Sequence, residues 1–223
     1  MRVDFEGSVQ LDSRFVLLSA SFPYGQRATR FPPANPAEVS DAVVAIARAV
    51  MAANGRLVFG GHPTISPLVL MVAGEYGANG QPERVSIYQS RLFGPSITNE
   101  TLALERLGHG RIRWIDALPG ESISAGLENL GSLERMRRTM LEETQPAAAF
   151  FVGGMEGIRE EYDLAREIVP AAALFPLAAP GGASAVLPIG RELPAHLRRS
   201  LRQSRLFPAL VHEALRLAVD RMG

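Results

Sequence analysis

The 223-residue sequence contains no cysteine and no lysine. The absence of cysteine excludes disulfides, thiolate metal sites and a cysteine nucleophile. The absence of lysine excludes a Walker A lysine, a Schiff base and an amine that acts as a general base. All 23 basic residues are therefore arginine. Any bound anion must be held by guanidinium groups, by backbone amides or by the N-termini of helices.

The sequence also lacks an excess of either charge and any long apolar run. Its 23 basic residues are balanced by 23 acidic ones, so we do not expect nucleic acid as the main ligand. The apolar runs at 147–152 and 169–179 are far shorter than a membrane span, and no segment resembles a targeting signal. We therefore expect a cytoplasmic protein without membrane contact. The four histidines lack metal-ligand spacing, so neither a metal nor a cofactor is expected.

Strand-like apolar runs alternate with helical periodicity, which is typical of a mainly parallel sheet covered on both faces. We predict a Rossmann-like, doubly wound α/β fold with about six or seven strands. The predicted strands are 15–20, 56–60, 85–89, 111–117, 147–152 and 172–178. The predicted helices are 37–54, 64–76, 122–143 (broken near Gly131, with Ser132 as a new N-cap), 157–169 and 207–222. The length indicates a single domain with a core at about 15–187 and a C-terminal helical cap at about 194–222.

Three of the predicted strands end in a pair of glycines. The pairs are Gly60 and Gly61, Gly153 and Gly154, and Gly181 and Gly182. Ligands of open parallel sheets bind beyond the carboxyl ends of the strands, where glycine lets the backbone approach a ligand closely. We interpret the pairs as parts of a site for a phosphate-bearing ligand. The alternative is that they only form tight turns between strands and helices.

Further candidate residues flank these glycines. They are Ser19 and Ser21 after the first strand, His62 after the first pair, and Met155, Glu156, Gly157 and Glu161 after the second pair. The serines could equally cap turns, and a lone histidine is more often structural than functional. Glu161 could bind a ribose hydroxyl or act in catalysis, or it could only stabilise the start of its helix.

Arginine must supply the cationic contacts of such a site. Arg27 and Arg30 lie in the long loop after the first strand, and loops of more than about 12–15 residues are often functional. Arg137 and Arg138 lie on the helix before the second glycine pair. The arginines between 191 and 205 are more typical of a solvated face.

Three sequence segments resemble the SLOG superfamily. They are Leu-Ser-Ala-Ser-Phe-Pro at 18–23, Val-Phe-Gly-Gly-His-Pro-Thr-Ile-Ser-Pro-Leu-Val at 58–69, and Phe-Phe-Val-Gly-Gly-Met-Glu-Gly-Ile-Arg-Glu-Glu-Tyr at 150–162. SLOG domains are Rossmann-like nucleotide binders related to the DNA-processing protein of natural transformation and to the LOG phosphoribohydrolases. The resemblance covers about 15–187 and is nearest to the branch associated with Sir2 and TIR domains in antiviral conflict systems.

The resemblance implies that a nucleotide or an NAD-derived molecule, such as ADP-ribose or a cyclised form of it, binds at the strand ends. LOG enzymes carry P-G-G-x-G-T-x-x-E, whose Glu acts with an upstream Arg to cleave an N-glycosidic bond. The motif's Glu corresponds here to Glu161, and Arg137 or its neighbour Arg138 lies about where the Arg belongs. This sequence departs from the motif: Val152 replaces the Pro, one residue is inserted between the glycines, and Ile158 replaces the Thr.

Two functions follow from the resemblance and both stay open. The first, which we prefer, is a nucleotide sensor in an antiviral or stress-signalling system, acting through oligomerisation or a separate effector protein. The second is a LOG-like N-glycosidase, in which Glu161 binds ribose or stabilises oxocarbenium-like charge and Arg137 holds the phosphate. A Rossmann-like domain without a ligand is the third alternative. Family members are often dimeric or higher, so we expect a homodimer or a larger oligomer.

Overall fold

The computed structural model describes residues 9–77, 84–123 and 130–221. These residues contain a six-stranded sheet in which all neighbouring strands are parallel. The strands are β1 (Phe15–Ser21), β2 (Arg56–Gly60), β3 (Val85–Ser90), β4 (Arg111–Ile115), β5 (Ala148–Gly153) and β6 (Ala173–Leu177). They lie in the order β4-β3-β2-β1-β5-β6. The direction of winding therefore reverses between β1 and β5, where Ser21 pairs with Gly153.

Helices cover the sheet on both faces. They are α1 (Pro36–Ala52), α2 (Ile65–Glu75), α3 (Asn99–Arg106), α4 (Gly131–Thr144), α5 (Glu156–Ile168), α6 (Ala195–Gln203) and α7 (Phe207–Asp220). One apolar core joins the sheet to α1, α2, α6 and α7, and the other joins it to α4 and α5. The sheet separates the two cores, so neighbouring residues of one strand point to different cores. Phe150 and Phe151 of β5 are an example, and both are fully buried.

The predicted fold is confirmed, and each of the six predicted strands is present. Two helices were not predicted individually, α3 and α6. Thr101 is the one residue of α3 that is buried, so this helix has no apolar stripe to indicate it. Helix α6 lies within the predicted C-terminal cap and buries Leu197 and Leu201. The part of the predicted helix at 124–129 lies outside the described residues.

The N-terminus of α4 is capped by a residue other than the predicted Ser132. The helix begins at Gly131, and the carboxylate of Glu121 accepts hydrogen bonds from the Gly131 amide at 2.7 Å and the Ser132 amide at 2.9 Å. Ser132 Oγ instead accepts a hydrogen bond from the amide of Leu118. The prediction of Ser132 as the N-cap was wrong because a carboxylate from the preceding segment occupies the end of the helix.

The cap formed by Glu121 makes stability depend on pH. Hydrogen bonds from the side chain and the amide of Ser132, and from the amide of Gly131, lower the pKa of Glu121 below its ordinary value of 4.5. This stabilisation is present above about pH 4.5 and is lost as the pH falls through the lowered pKa. We expect Glu121→Gln to lower the thermal midpoint at pH 7, and the difference from the native protein to shrink below pH 4.5.

Thermal unfolding followed by circular dichroism between pH 3 and pH 7 measures this difference. Glu142→Gln is the control, since it removes the same charge from an exposed position in the last turn of α4. We expect no lowering of the midpoint at pH 7 for the control. A difference between Glu121→Gln and the native protein that stays constant over this pH range would contradict the capping role.

None of the helices within the described ranges has the length and apolar character needed to cross a membrane.

Candidate ligand-binding cleft

A cleft of about 840 Å³ opens at the carboxyl edge of the sheet, where the winding direction reverses. Its walls come from the ends of β1, β2 and β3, the loop after β1, one side of α4 and the first turns of α5. Open α/β sheets bind their ligands at this topological position. The volume lies within the range typical of small-molecule sites.

The structure brings eleven of the predicted site residues to this cleft. They are Ser21, Arg27, Arg30, Gly60, Gly61, His62, Arg137, Met155, Glu156, Gly157 and Glu161. Six others do not line it. They are Ser19, Arg138, Gly153, Gly154, Gly181 and Gly182.

The second and third glycine pairs form a structural junction beneath the cleft. The amide of Gly153 donates to Ser184 Oγ at 2.9 Å, and the amide of Gly154 donates to the Ser21 carbonyl at 2.8 Å. The amide of Gly182 donates to the Pro32 carbonyl at 3.0 Å. These three N–H groups have protein acceptors, so none of them is left for a phosphate. The pairs join β5, the loop after β6 and the loop after β1.

Ser19 and Arg138 lie away from the cleft for different reasons. Ser19 is within β1 and is 1% exposed. Arg138 lies on the outer side of α4, where it forms ion pairs with Glu134 and Glu167 at 2.9 Å each. The hydrogen bonds that Arg138 donates to Glu167 and Glu134 raise the pKa of Arg138 above its already high value.

Arg137 and Glu161 form a buried ion pair in the wall of the cleft. The Arg137 Nε and Glu161 Oε1 atoms are 3.2 Å apart, and the two residues are 8% and 9% exposed. Glu160 binds Arg137 Nη1 from the exposed side. Arg137 crosses α5 at Gly157. A Cβ at that position would lie only 2.8 Å from the Arg137 Nη2 atom, so the close approach requires glycine. The guanidinium of Arg137 thus already binds two carboxylates.

The N-terminus of α5 offers a place for an anion. The helix begins after Met155 without a side-chain cap, and the first amides of a helix have no acceptor within the helix. In this turn the Ile158 amide donates to the Met155 carbonyl at 3.1 Å. Arg30 reaches this end of α5 and pairs with Glu156 at 3.3 Å. Arg27 also lines the cleft, and it forms no ion pair with the described residues. Amides at a helix N-terminus together with arginines are typical of phosphate sites.

His62 has a fixed orientation at the end of β2. Its backbone amide donates to Ser66 Oγ at 3.0 Å, and its Nδ1 accepts a hydrogen bond from the Thr64 amide at 3.2 Å. Burial lowers the pKa of His62, which favours the neutral form. Because Nδ1 is an acceptor, the proton of the neutral ring is on Nε2.

Sequence reasoning missed several residues that line the cleft. They include Tyr24, Thr64, Gln89, Phe93, Met136 and Glu160. Gln89 is the last residue of the predicted third strand, so its place at the carboxyl edge of the sheet was the available signal. Its Nε2 donates to the Phe93 carbonyl at 3.2 Å, which fixes the following loop. Thr64 and Glu160 lie within the segments 58–69 and 150–162 that carry the family resemblance, so their positions were also available as a signal. Tyr24, Phe93 and Met136 carry no motif that marks them.

Within 9–77, 84–123 and 130–221, no three histidine, aspartate or glutamate side chains are grouped in a way that could hold a metal ion.

A parallel sheet with a cleft at its reversal point defines the Rossmann-like class of α/β proteins. The family model of the SLOG cluster3 family matches residues 31–215 of the chain. The chain therefore belongs to the SLOG cluster3 family, which confirms the resemblance to the SLOG superfamily. Family membership indicates a nucleotide-related function. None of the curated proteins matches the sequence.

Proposed function

We propose that the protein binds a nucleotide or an NAD-derived molecule, such as ADP-ribose, in this cleft and acts as a sensor. The observation that carries the proposal is the position of Arg27, Arg30 and the uncapped N-terminus of α5 at one end of the cleft. Guanidinium groups and helix amides are the groups that bind phosphate in a chain without lysine. Ligand binding would be the signal in an antiviral or stress-signalling system, and the protein would pass it on through a partner protein or through its own oligomerisation.

The carboxylates of the cleft support a ligand that also carries hydroxyl groups. Glu156, Glu160 and Glu161 line the same wall as the arginines. An ionised carboxylate accepts hydrogen bonds, so it suits the hydroxyl groups of a ribose. A ligand of phosphate and sugar therefore matches this end of the cleft better than a highly charged anion such as a triphosphate, because three carboxylates would repel it.

A LOG-like N-glycosidase is the second candidate. The specific observation in its favour is that Glu161 lines the cleft close to Gly60, at the motif position of the hydrolase glutamate. A carboxylate in that position can stabilise positive charge on a ribose ring during cleavage. Arg137 holds Glu161 in place, and Arg137 or its neighbour Arg138 corresponds to the upstream arginine of the motif.

One experiment separates the two functions. The protein is incubated with AMP, NAD and ADP-ribose, the products are separated by chromatography, and the thermal midpoint is measured with each compound. The sensor predicts unchanged compounds and a raised midpoint, since a ligand at about 100 times its Kd stabilises by roughly 2.7 kcal/mol. Release of a free base that is lost in Glu161→Gln would establish the hydrolase instead. Unchanged compounds without any rise in the midpoint would contradict both functions.

A further inference from the structure

The two ends of the cleft differ in chemistry. All of its charged lining residues come from the loop after β1, from α4 and from α5. They are Arg27, Arg30, Arg137, Glu156, Glu160 and Glu161. The ends of β2 and β3 and the segments that follow them contribute uncharged groups. They are Gly60, Gly61, His62, Pro63, Thr64, Gln89, Phe93 and Ser96. Glu161 marks the boundary between the two sets, because its Oε1 lies 3.6 Å from the position that a Cβ of Gly60 would take. A ligand that fits this cleft has a charged end at α5 and an uncharged end beyond Glu161.

The sheet sets the distance between these two ends. Strand β5, which leads into α5, is followed across the sheet by β1, β2 and β3. Adjacent strands are about 4.8 Å apart, so the end of β5 is roughly 10 Å from the end of β2, which precedes His62, and roughly 14 Å from the end of β3. This length accommodates a phosphate, a ribose and a base in line.

His62 supplies a directed donor at the uncharged end. The hydrogen bond from the Thr64 amide to Nδ1 leaves Nε2 as the protonated nitrogen. Among the described residues Nε2 has no hydrogen-bond partner, and it is not one of the buried, shielded atoms. The aromatic ring of Phe22 lies 6.4 Å from the imidazole, and Phe93 lines the same end. A neutral donor near an aromatic side chain is suited to an uncharged ring.

We infer that the end of the cleft formed by β2 and β3 is a base subsite, in which His62 Nε2–H donates to an acceptor atom of an uncharged heteroaromatic ring. This inference rests on the proposed function, because it assigns the orientation of the same ligand: phosphate at α5 and base at β3. His62 determines specificity through one hydrogen bond and takes no part in bond cleavage. The buried amide of Gln89 holds the loop that carries Phe93.

Isothermal titration with AMP and with ribose 5-phosphate, which lacks the base, tests the subsite. We expect the native protein to bind AMP more tightly. His62→Ala is expected to weaken AMP binding about 2- to 10-fold, the value of one net hydrogen bond, and to leave ribose 5-phosphate binding unchanged. His62→Gln keeps an N–H donor on a side chain of similar reach and is expected to restore most of the affinity for AMP.

His196→Ala is the matched control, since His196 is an exposed histidine of α6 that pairs with Glu213 of α7 and does not line the cleft. We expect it to bind both compounds like the native protein. Equal affinity of the native protein for AMP and ribose 5-phosphate, or an equal loss of both in His62→Ala, would overturn the base subsite alone. Failure of the native protein to bind AMP, ribose 5-phosphate and ADP-ribose would overturn the proposed function as well.

Discussion

Replacing Gly182 by alanine is expected to lower the free energy of unfolding by about 4 kcal/mol. Gly182 has φ +70° and ψ −160°. Residues other than glycine adopt this backbone conformation only at a cost of about 1–3 kcal/mol. A Cβ at this position would lie 2.5–2.9 Å from three backbone atoms of Gly153. Overpacking adds about 1–3 kcal/mol. Both loops that meet here are held by backbone hydrogen bonds, so neither can yield easily.

Gly25→Ala is a matched control for this variant. Gly25 has nearly the same conformation, with φ +64° and ψ −165°, but a Cβ there would meet nothing within 4 Å. The control therefore retains the conformational cost and lacks the steric one. Urea denaturation of both variants measures the difference, which we expect to be about 1–3 kcal/mol. Equal stability of the two variants would show that the junction between Gly182 and Gly153 is not tightly packed.

Replacing Arg137 by methionine is expected to have the second large effect, a loss of about 3–5 kcal/mol. The substitution keeps much of the aliphatic volume of the side chain. It removes the charge that balances Glu161, which is only 9% exposed. A buried carboxylate without its partner is strongly unfavourable. Because the stability of a domain is typically about 5–15 kcal/mol, this loss is a large part of the total.

Arg138→Met is the control for Arg137→Met. The neighbouring residue also binds two carboxylates, Glu134 and Glu167, but on the exposed side of α4. Exposed ion pairs contribute little to stability, so we expect a much smaller loss. Urea denaturation of both variants and of Arg137→Met combined with Glu161→Met measures the effect. The double variant should recover most of the stability. A double variant as unstable as the sum of its single variants would contradict the coupling.

The fold could be predicted because five of the six strands bury residues on both faces, while β4 at the edge buries only Ile112. The continuous apolar run of β5 indicates a central parallel strand, and the structure places β5 between β1 and β6. The cap of α4 could not be predicted in the same way. A hydroxyl at Ser132 and a carboxylate at Glu121 are both capable of capping, and the path of the intervening chain decides between them.

The candidate site could be predicted only in part, because the sequence indicates which residues follow the strands and does not show which way their backbone groups point. Glycine pairs at strand ends mark the correct edge of the sheet, but sequence does not show where their amides point. The amides of Gly153 and Gly154 are bonded within the protein, while Gly60 and Gly61 line the cleft. Gln89 and Phe93 reach the cleft through the order of the strands, which places β3 two positions from β1.

Titration of ADP-ribose into the native protein and into Arg27→Ala tests the central claim, nucleotide binding in the cleft, most directly. Arg27 lines the cleft and forms no ion pair with the described residues, so its loss should change ligand binding without releasing a buried carboxylate. Arg199→Ala, which removes an exposed arginine from α6, is the control. We predict saturable binding that Arg27→Ala weakens about tenfold and Arg199→Ala leaves unchanged. Equal affinity of the native protein and Arg27→Ala, or no binding to either, would contradict the account.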